Sequence, residues 1–149
     1  MTDTIREQCL VALVARLATM AGVQVSRNSD IDMARDAMPA VVLFEGNLGA
    51  ILDNQYTTIY RQAVEVDCYV KAANSDLLGS AVSDLFGKVT LAVLGDPSMG
   101  GVAVNLEPQP DFCSAPIIDR TPGRAATAAF TLGFVIQFHT KANDPYIQG

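Results

Sequence analysis

One histidine, His139, stands alone in the chain. A zinc site would need partners for it, and nucleophilic catalysis would need a presented hydroxyl beside it; there is neither a second His nor a G-x-S-x-G elbow. Its expected place is a surface or an interface. Acidic residues offer two further arrangements. Asp30, Asp32 and Asp36 crowd one polar stretch, but with Asp30 as the first position of a calcium loop the sixth would be Arg35 and the twelfth Val41, where Gly and Glu are required. A solvated loop is the expected role. Glu65 and Asp67 stand two apart in an alternating segment and so share one strand face, a pairing that could serve hydrolysis but more often meets solvent or a partner.

Cys9, Cys68 and Cys113 cannot all pair and form no C-x-x-C unit, so burial as small hydrophobes is expected for them. Gly100-Gly101 matches neither G-x-x-x-x-G-K-[ST] nor G-x-G-x-x-G and is expected to form a turn. Neither a catalytic residue, a bound cofactor nor a metal is expected. The ten basic residues are scattered, and the formal net charge of −6 opposes nucleic-acid affinity, which needs clustered Lys and Arg.

The elements that position these groups follow from periodicity. Thr4 stands three residues before Glu7 in a capping-box spacing, and Ile5, Cys9, Leu10, Leu13, Leu17 and Met20 recur at helical intervals up to Gly22. This predicts a helix over 2–21. Val23 and Val25 begin a short strand, and 26–36 reads as loop. Ala40 to Phe44, bounded by Pro39 and Gly46, reads as a strand, and 46–58 as a long loop or an extended hairpin. Residues 60–70 alternate, with Val64, Val66, Cys68 and Val70 on one side.

Asn74-Ser75-Asp76 caps a second helix whose apolar stripe runs from Leu78 to Val93 and stops at Gly95. Val102, Val104 and Leu106 alternate again, Pro108, Pro110 and Pro116 interrupt regularity around a short edge strand, and 119–124 reads as a second polar loop. Phe130, Leu132, Phe134, Ile136 and Phe138 share one face of the last strand. The order α-β-β-β-α-β-β predicts an α+β fold: a single mixed, mostly antiparallel sheet with two main helices packed on one face, all of 1–149 forming one domain. Half of the residues are apolar and 17% charged, which suits buried interfaces. No apolar stretch is expected to reach the length of a membrane span, because Arg16 interrupts the first helix and Glu65 and Asp67 the richest strand. Met1 to Glu7 lacks the features of a secretory signal, so a soluble, cytoplasmic protein is expected.

Three phrases, in order, resemble one family. The first is Ile5-Arg6 through Leu10-Val-Ala-Leu-Val-Ala-Arg16-Leu17, then Gly22-Val23, a polar loop and Met38-Pro39-Ala40-Val41-Val42. The second is Val64-Glu65-Val66-Asp67-Cys68-Tyr69-Val70, running into the helix that ends at Leu94-Gly95-Asp96-Pro97 and Gly100-Gly101. The third is Phe138-His139-Thr140 with Asp144-Pro145-Tyr146 after it. Together they resemble the tail terminator (minor tail protein U-like) proteins of long-tailed bacteriophages and prophage-derived particles.

The resemblance implies a structural subunit that closes into a homo-oligomeric ring, a hexamer, on the last ring of the tail tube. Such a ring ends tube polymerisation and offers the head a surface for attachment. Its partners would be the major tail tube protein and a head-tail connector protein, with DNA passing through the lumen without specific binding and no membrane involved. It would be found in the host bacterial cytoplasm during assembly and then in the virion tail. Candidate subunit or tube contacts are Asn47, Leu48, Ile51, Leu52, Tyr56, Arg61, Arg120 and Arg124. The alternatives are another neck or connector component of the same particle, or a small ligand-binding domain or hydrolase using Glu65, Asp67 or His139.

Overall fold

The computed structural model describes residues 3–28, 38–52, 55–119 and 125–149. Thr4 caps the first helix as its spacing predicts: its Oγ1 accepts a hydrogen bond from the Glu7 amide at 3.1 Å, and α1 (Ile5–Leu17) follows. The helix is shorter than the expected 2–21. Thr19 turns its hydroxyl back onto the Arg16 carbonyl at 2.6 Å, the Met20 amide bonds the Leu17 carbonyl, and Gly22 takes a positive φ that leads the chain out. A short strand, β1 (Gln24–Arg27), runs parallel to β2 (Ala40–Leu52). The expected loop 26–36 therefore begins inside β1, and 29–37 lie outside the described residues.

Between the two readings of 46–58, the extended hairpin is the one observed. β2 continues past Phe44 to Leu52 and pairs with β3 (Thr57–Ala72), which is longer than the expected 60–70. Asn74 then caps α2 (Ser75–Leu94), its side-chain carbonyl accepting from the amides of Asp76 and Leu77. After a 3-10 turn at Met99–Gly101 come β4 (Asn105–Cys113), β5 (Ile117–Asp119), β6 (Ala126–Lys141) and β7 (Asp144–Gln148).

Two expectations change here. Val102 and Val104 precede the strand they were assigned to, and Pro108 and Pro110 lie inside β4, which tolerates them because it is an edge strand whose outward N–H groups have no ladder partner to lose. The terminal strand β7 is additional.

Among the described residues the sheet has seven strands in the order β1-β2-β3-β6-β4, with β5 and β7 also paired to β6. Of these strands only β1 and β2 run parallel among the described residues, so the fold is α+β with a mixed, mostly antiparallel sheet. Strict alternation sorts β3 and β6 into two rows. Val64, Val66, Cys68 and Val70 of β3 and the even residues from Ala126 to Phe138 of β6 are buried, and they share one core cluster with Ile5, Leu10, Leu13 and Leu17 of α1 and with Leu78, Leu85, Val89 and Val93 of α2. Phe134 sits at the centre, edge-to-face with Phe112 at 5.2 Å. The Arg16 guanidinium ties the helices together by donating from Nε to the Ala92 carbonyl at 3.0 Å.

The membrane-span expectation needs a correction. The helical segment Ser75–Gly101 is long and apolar enough to cross a membrane by length and composition. Leu78, Leu85, Val89 and Val93 of this segment meet the core, Leu77 and Leu91 are exposed, and Asp84 and Lys88 form an ion pair at 3.1 Å on its exposed side.

Truncation should separate core from surface. Phe134→Ala is expected to cost about 3–5 kcal/mol in a urea unfolding titration, whereas Ile51→Ala, at an exposed position, should stay within about 0.5 kcal/mol of the wild type.

Candidate interaction surface

The β2–β3 hairpin carries most of the candidate contact residues, and its base is built around a buried polar side chain. Between Glu45 and Leu48 the register of β2 against β3 shifts, so that Gly46 and Asn47 form a bulge opposite Ala63. Gly46 lies so close to Ala63 that a Cβ there would meet both its Cβ and its carbonyl oxygen at 3.2 Å. Beside the bulge Gln62 is 0% exposed. Its Nε2 donates to the carbonyls of Ala63 at 2.7 Å and Gly46 at 2.9 Å, and its Oε1 accepts from Arg6 Nε at 2.8 Å. Backbone carbonyls freed by the bulge are thus satisfied, and the hairpin is bound to the first turn of α1.

An ion network continues the brace. Arg27 Nη1 and Nη2 donate in a fork to the Glu7 carboxylate at 2.6 and 3.0 Å, Nη2 also meets Glu45, Asn28 donates to Glu45 at 3.1 Å, and Arg6 approaches Glu45 at 3.7 Å. The Arg27 hydrogen bond holds the Glu7 carboxyl below its ordinary value. Burial acts to raise Glu45, but the hydrogen bonds from Arg27 and Asn28 outweigh it and its value is also lowered. Glu7 therefore points at Arg27 instead of closing the capping box, and the network joins α1, β1 and β2.

Beyond this base the hairpin continues as an arm whose inner face, at Leu48, Tyr60, Phe138 and Thr140, still lines a pocket with Thr4 and Arg6 at the start of α1. Among the described residues β1 pairs β2 at Ala40–Leu43, and no strand pairs the outward edge of β2 further along. The run Gly46-Asn-Leu-Gly-Ala-Ile-Leu52 has neither a charge nor a proline. Natural edges are guarded by such residues or by bulges, and past the Gly46–Asn47 bulge this one is open among the described residues. The opposite margin of the sheet is different: β5, β4 and β7 follow one another along β6, with Pro108 and Pro110 in β4 and Pro116 just before β5. There Ile117 is 78% exposed, and a groove of about 300 Å³ is lined by Ser75, Leu78, Gly79, Val82, Pro116 and Ile118.

The hairpin carries six of the candidate contacts. Asn47 lies in the bulge, Leu48 pairs Gln62 on the core side, and Ile51 pairs Ile59 on the other side, 63% exposed. Tyr56 stands at the hairpin end, 70% exposed, its carbonyl accepting from the Ala142 amide. Leu52 ends β2. Arg61 occupies the same face as Ile51 but is turned across the sheet, bonding Glu107 of β4 and Gln137 of β6. Arg120 and Arg124 lie outside the described residues, as do Asp30, Asp32 and Asp36.

The groups with catalytic potential are spread out. Glu65 and Asp67 share the face away from the core row, and Asp67 accepts from the Thr131 hydroxyl at 2.8 Å. His139 pairs Ile59, six residues along β3 from Glu65, a separation of roughly 20 Å; its ring Nε2 lies 3.4 Å from Gln137 Nε2. Those three do not converge on one point. Among the described residues no three of His, Cys, Asp and Glu are grouped to hold a metal. Cys9 and Cys68 are buried, and burial pushes the Cys9 thiol up to about 12 and Cys68 upward as well. Cys113 is exposed, against expectation, because it lies on the irregular edge strand β4. Gly100 and Gly101 form a turn with positive φ, where the Asp96 carboxylate accepts from the Ser98 hydroxyl and the Gly100 amide.

Sequence reasoning missed the brace itself. Its one signal was Gln62, a polar residue in the row that continues into Val64 and Val66. Gln62→Leu leaves the Gly46 and Ala63 carbonyls without their donor and should cost about 1–3 kcal/mol of unfolding free energy. The two carboxyls also predict a pH dependence. Their folded values lie below 4.5, so the stability they contribute is present above that value and is lost as the pH falls through the folded values. Urea titrations from neutrality to about pH 3 should show this acid loss. Arg27→Gln should lower stability at neutral pH and flatten the acid limb; an unchanged limb would refute the assignment. Compared with known proteins, the chain matches no family model and no curated protein, so its function is read from its own residues and geometry.

Proposed function

We propose that this chain is a structural assembly protein that forms a ring capping the tail tube of a phage-like particle, ends tube polymerisation and provides the surface to which the head attaches. The observation that carries this reading is the open, uncharged edge of β2 on a braced arm. An unguarded strand edge favours pairing with another chain, and a protein that keeps one while its prolines interrupt β4, but not β5, at the opposite margin is suited to directional assembly. The resemblance to tail terminators supplies the identity of the assembly.

In this reading both helices cover one face of the sheet, and the outer edge of the arm faces a partner. Copies meet through a heterologous contact, which closes into a ring, a hexamer, when the rotation between neighbours allows it. One rim meets the major tail tube protein and the other the head-tail connector. The acidic balance lets DNA pass without being held. Assembly takes place in the host bacterial cytoplasm, and the ring remains in the virion tail.

Deletion of the gene from a particle-producing strain, with electron microscopy of the products, tests the proposal. Abnormally long tails without heads are expected. Tails of normal length that fail to join heads would contradict it and assign the chain to the connector instead.

A further inference from the structure

We infer that the open edge of β2 on one copy pairs antiparallel with β5 at the opposite margin of a second copy, placing the apolar side chains of the arm against Ile117 and the groove beside Ile118. The inference rests on the ring-forming reading and names the two surfaces that meet.

Four observations carry it. The first is direction. β2 is antiparallel to β3, β3 to β6 and β6 to β5, so β2 and β5 of one sheet run oppositely, and a head-to-tail continuation from β5 to the next copy's β2 is an antiparallel pair. The second is availability. β5 is a three-residue strand without proline, exposed along its length, whereas β4 carries Pro108 and Pro110 and cannot offer a continuous ladder.

The third is the match of faces. Ile51 belongs to the face away from the core row, as Ile117 does through its pairing with Ala129; Leu48 and Ala50 belong to the core side, as Ile118 does through its pairing with Ala128. A continued sheet sets exposed isoleucine near exposed isoleucine on one face, and brings Leu48 and Ala50 toward the groove between β5 and α2 on the other. The fourth is charge. Each copy carries a net −6, yet neither Gly46 to Leu52 nor the groove residues Ser75, Leu78, Gly79, Val82, Pro116 and Ile118 include a charged side chain, so the exposed Asp119 of β5 meets an uncharged strand rather than a like charge. Within one copy the two surfaces lie at opposite margins of the sheet and do not meet.

Two exposed-site variants and their mixture test this by sedimentation at micromolar concentration. Ile51→Asp breaks the arm surface and leaves the groove; Ile117→Asp breaks the groove surface and leaves the arm. Wild type should sediment as a multimer and each variant alone as a single chain. An equimolar mixture should form a complex of two chains and no larger one, because one intact arm and one intact groove remain between them; that recovery also shows that both variants are folded. A monomeric wild type would overturn the inference together with the ring reading. A multimer that both variants leave intact would overturn the inference alone. So would Ile117→Asp still self-associating, the sign of arm-to-arm pairing, or a mixture that stays monomeric. A multimer that behaves as expected but leaves tail length unaffected in the deletion strain would overturn the tail-terminating role and leave the inference standing.

Discussion

The antiparallel ladder between β3 and β6 is the constraint on which the rest of the structure depends. Both strands are 16 residues long and pair without a break from Thr57–Lys141 to Ala72–Ala126. Because side chains alternate along each, unbroken pairing forces the even rows of both onto one face over the full length. Helices α1 and α2 share the core with that row from Val70 through Phe138, and Thr4 and Arg6 at the start of α1 line a pocket with Leu48, Tyr60, Phe138 and Thr140 near its far end. The arm is the far end of this ladder, and the uncharged edge of β2 is its outward margin.

Projection alone would leave a flexible ribbon, since a two-stranded segment without a packed face is marginal in water. Two features fix it. β6 pairs the far side of β3 right to the hairpin end, where the Ala142 amide also bonds the Tyr56 carbonyl. At the base, Gln62 and the Arg6, Arg27, Glu7 and Glu45 network hold the bulge against α1. The ions of that network are only partly buried, so its value lies less in net free energy than in fixing the direction in which the arm leaves the body. A docking edge presented at a fixed angle is what a closed ring requires.

Much of the fold was legible because periodicity is a local signal. The N-caps at Thr4 and Asn74, the alternation through Val64 to Val70 and the aromatic row of β6 each state their element directly. What escaped was set by tertiary context. The stretch after Gly46 is rich in Gly and Asn and reads equally as loop or hairpin; pairing with β3 decides it. Pro108 and Pro110 argue against a strand until β4 is known to lie at an edge. The terminal β7 is short, and only its pairing with β6 makes it a strand. Leu48, Ile51 and Tyr56 were readable as candidate contacts, whereas Ile117 and Ile118 of the proposed docking surface were not, because nothing local marks a strand at a sheet margin.

Amide hydrogen exchange across Gly46 to Leu52, followed as protein concentration rises, tests the docking role of this edge most directly. An open β2 edge exchanges quickly in dilute solution, and its outward amides should become strongly protected as copies associate, together with those of Ile117 to Asp119. Association that leaves exchange across Gly46 to Leu52 unchanged would contradict the account, because copies would then be meeting through another surface.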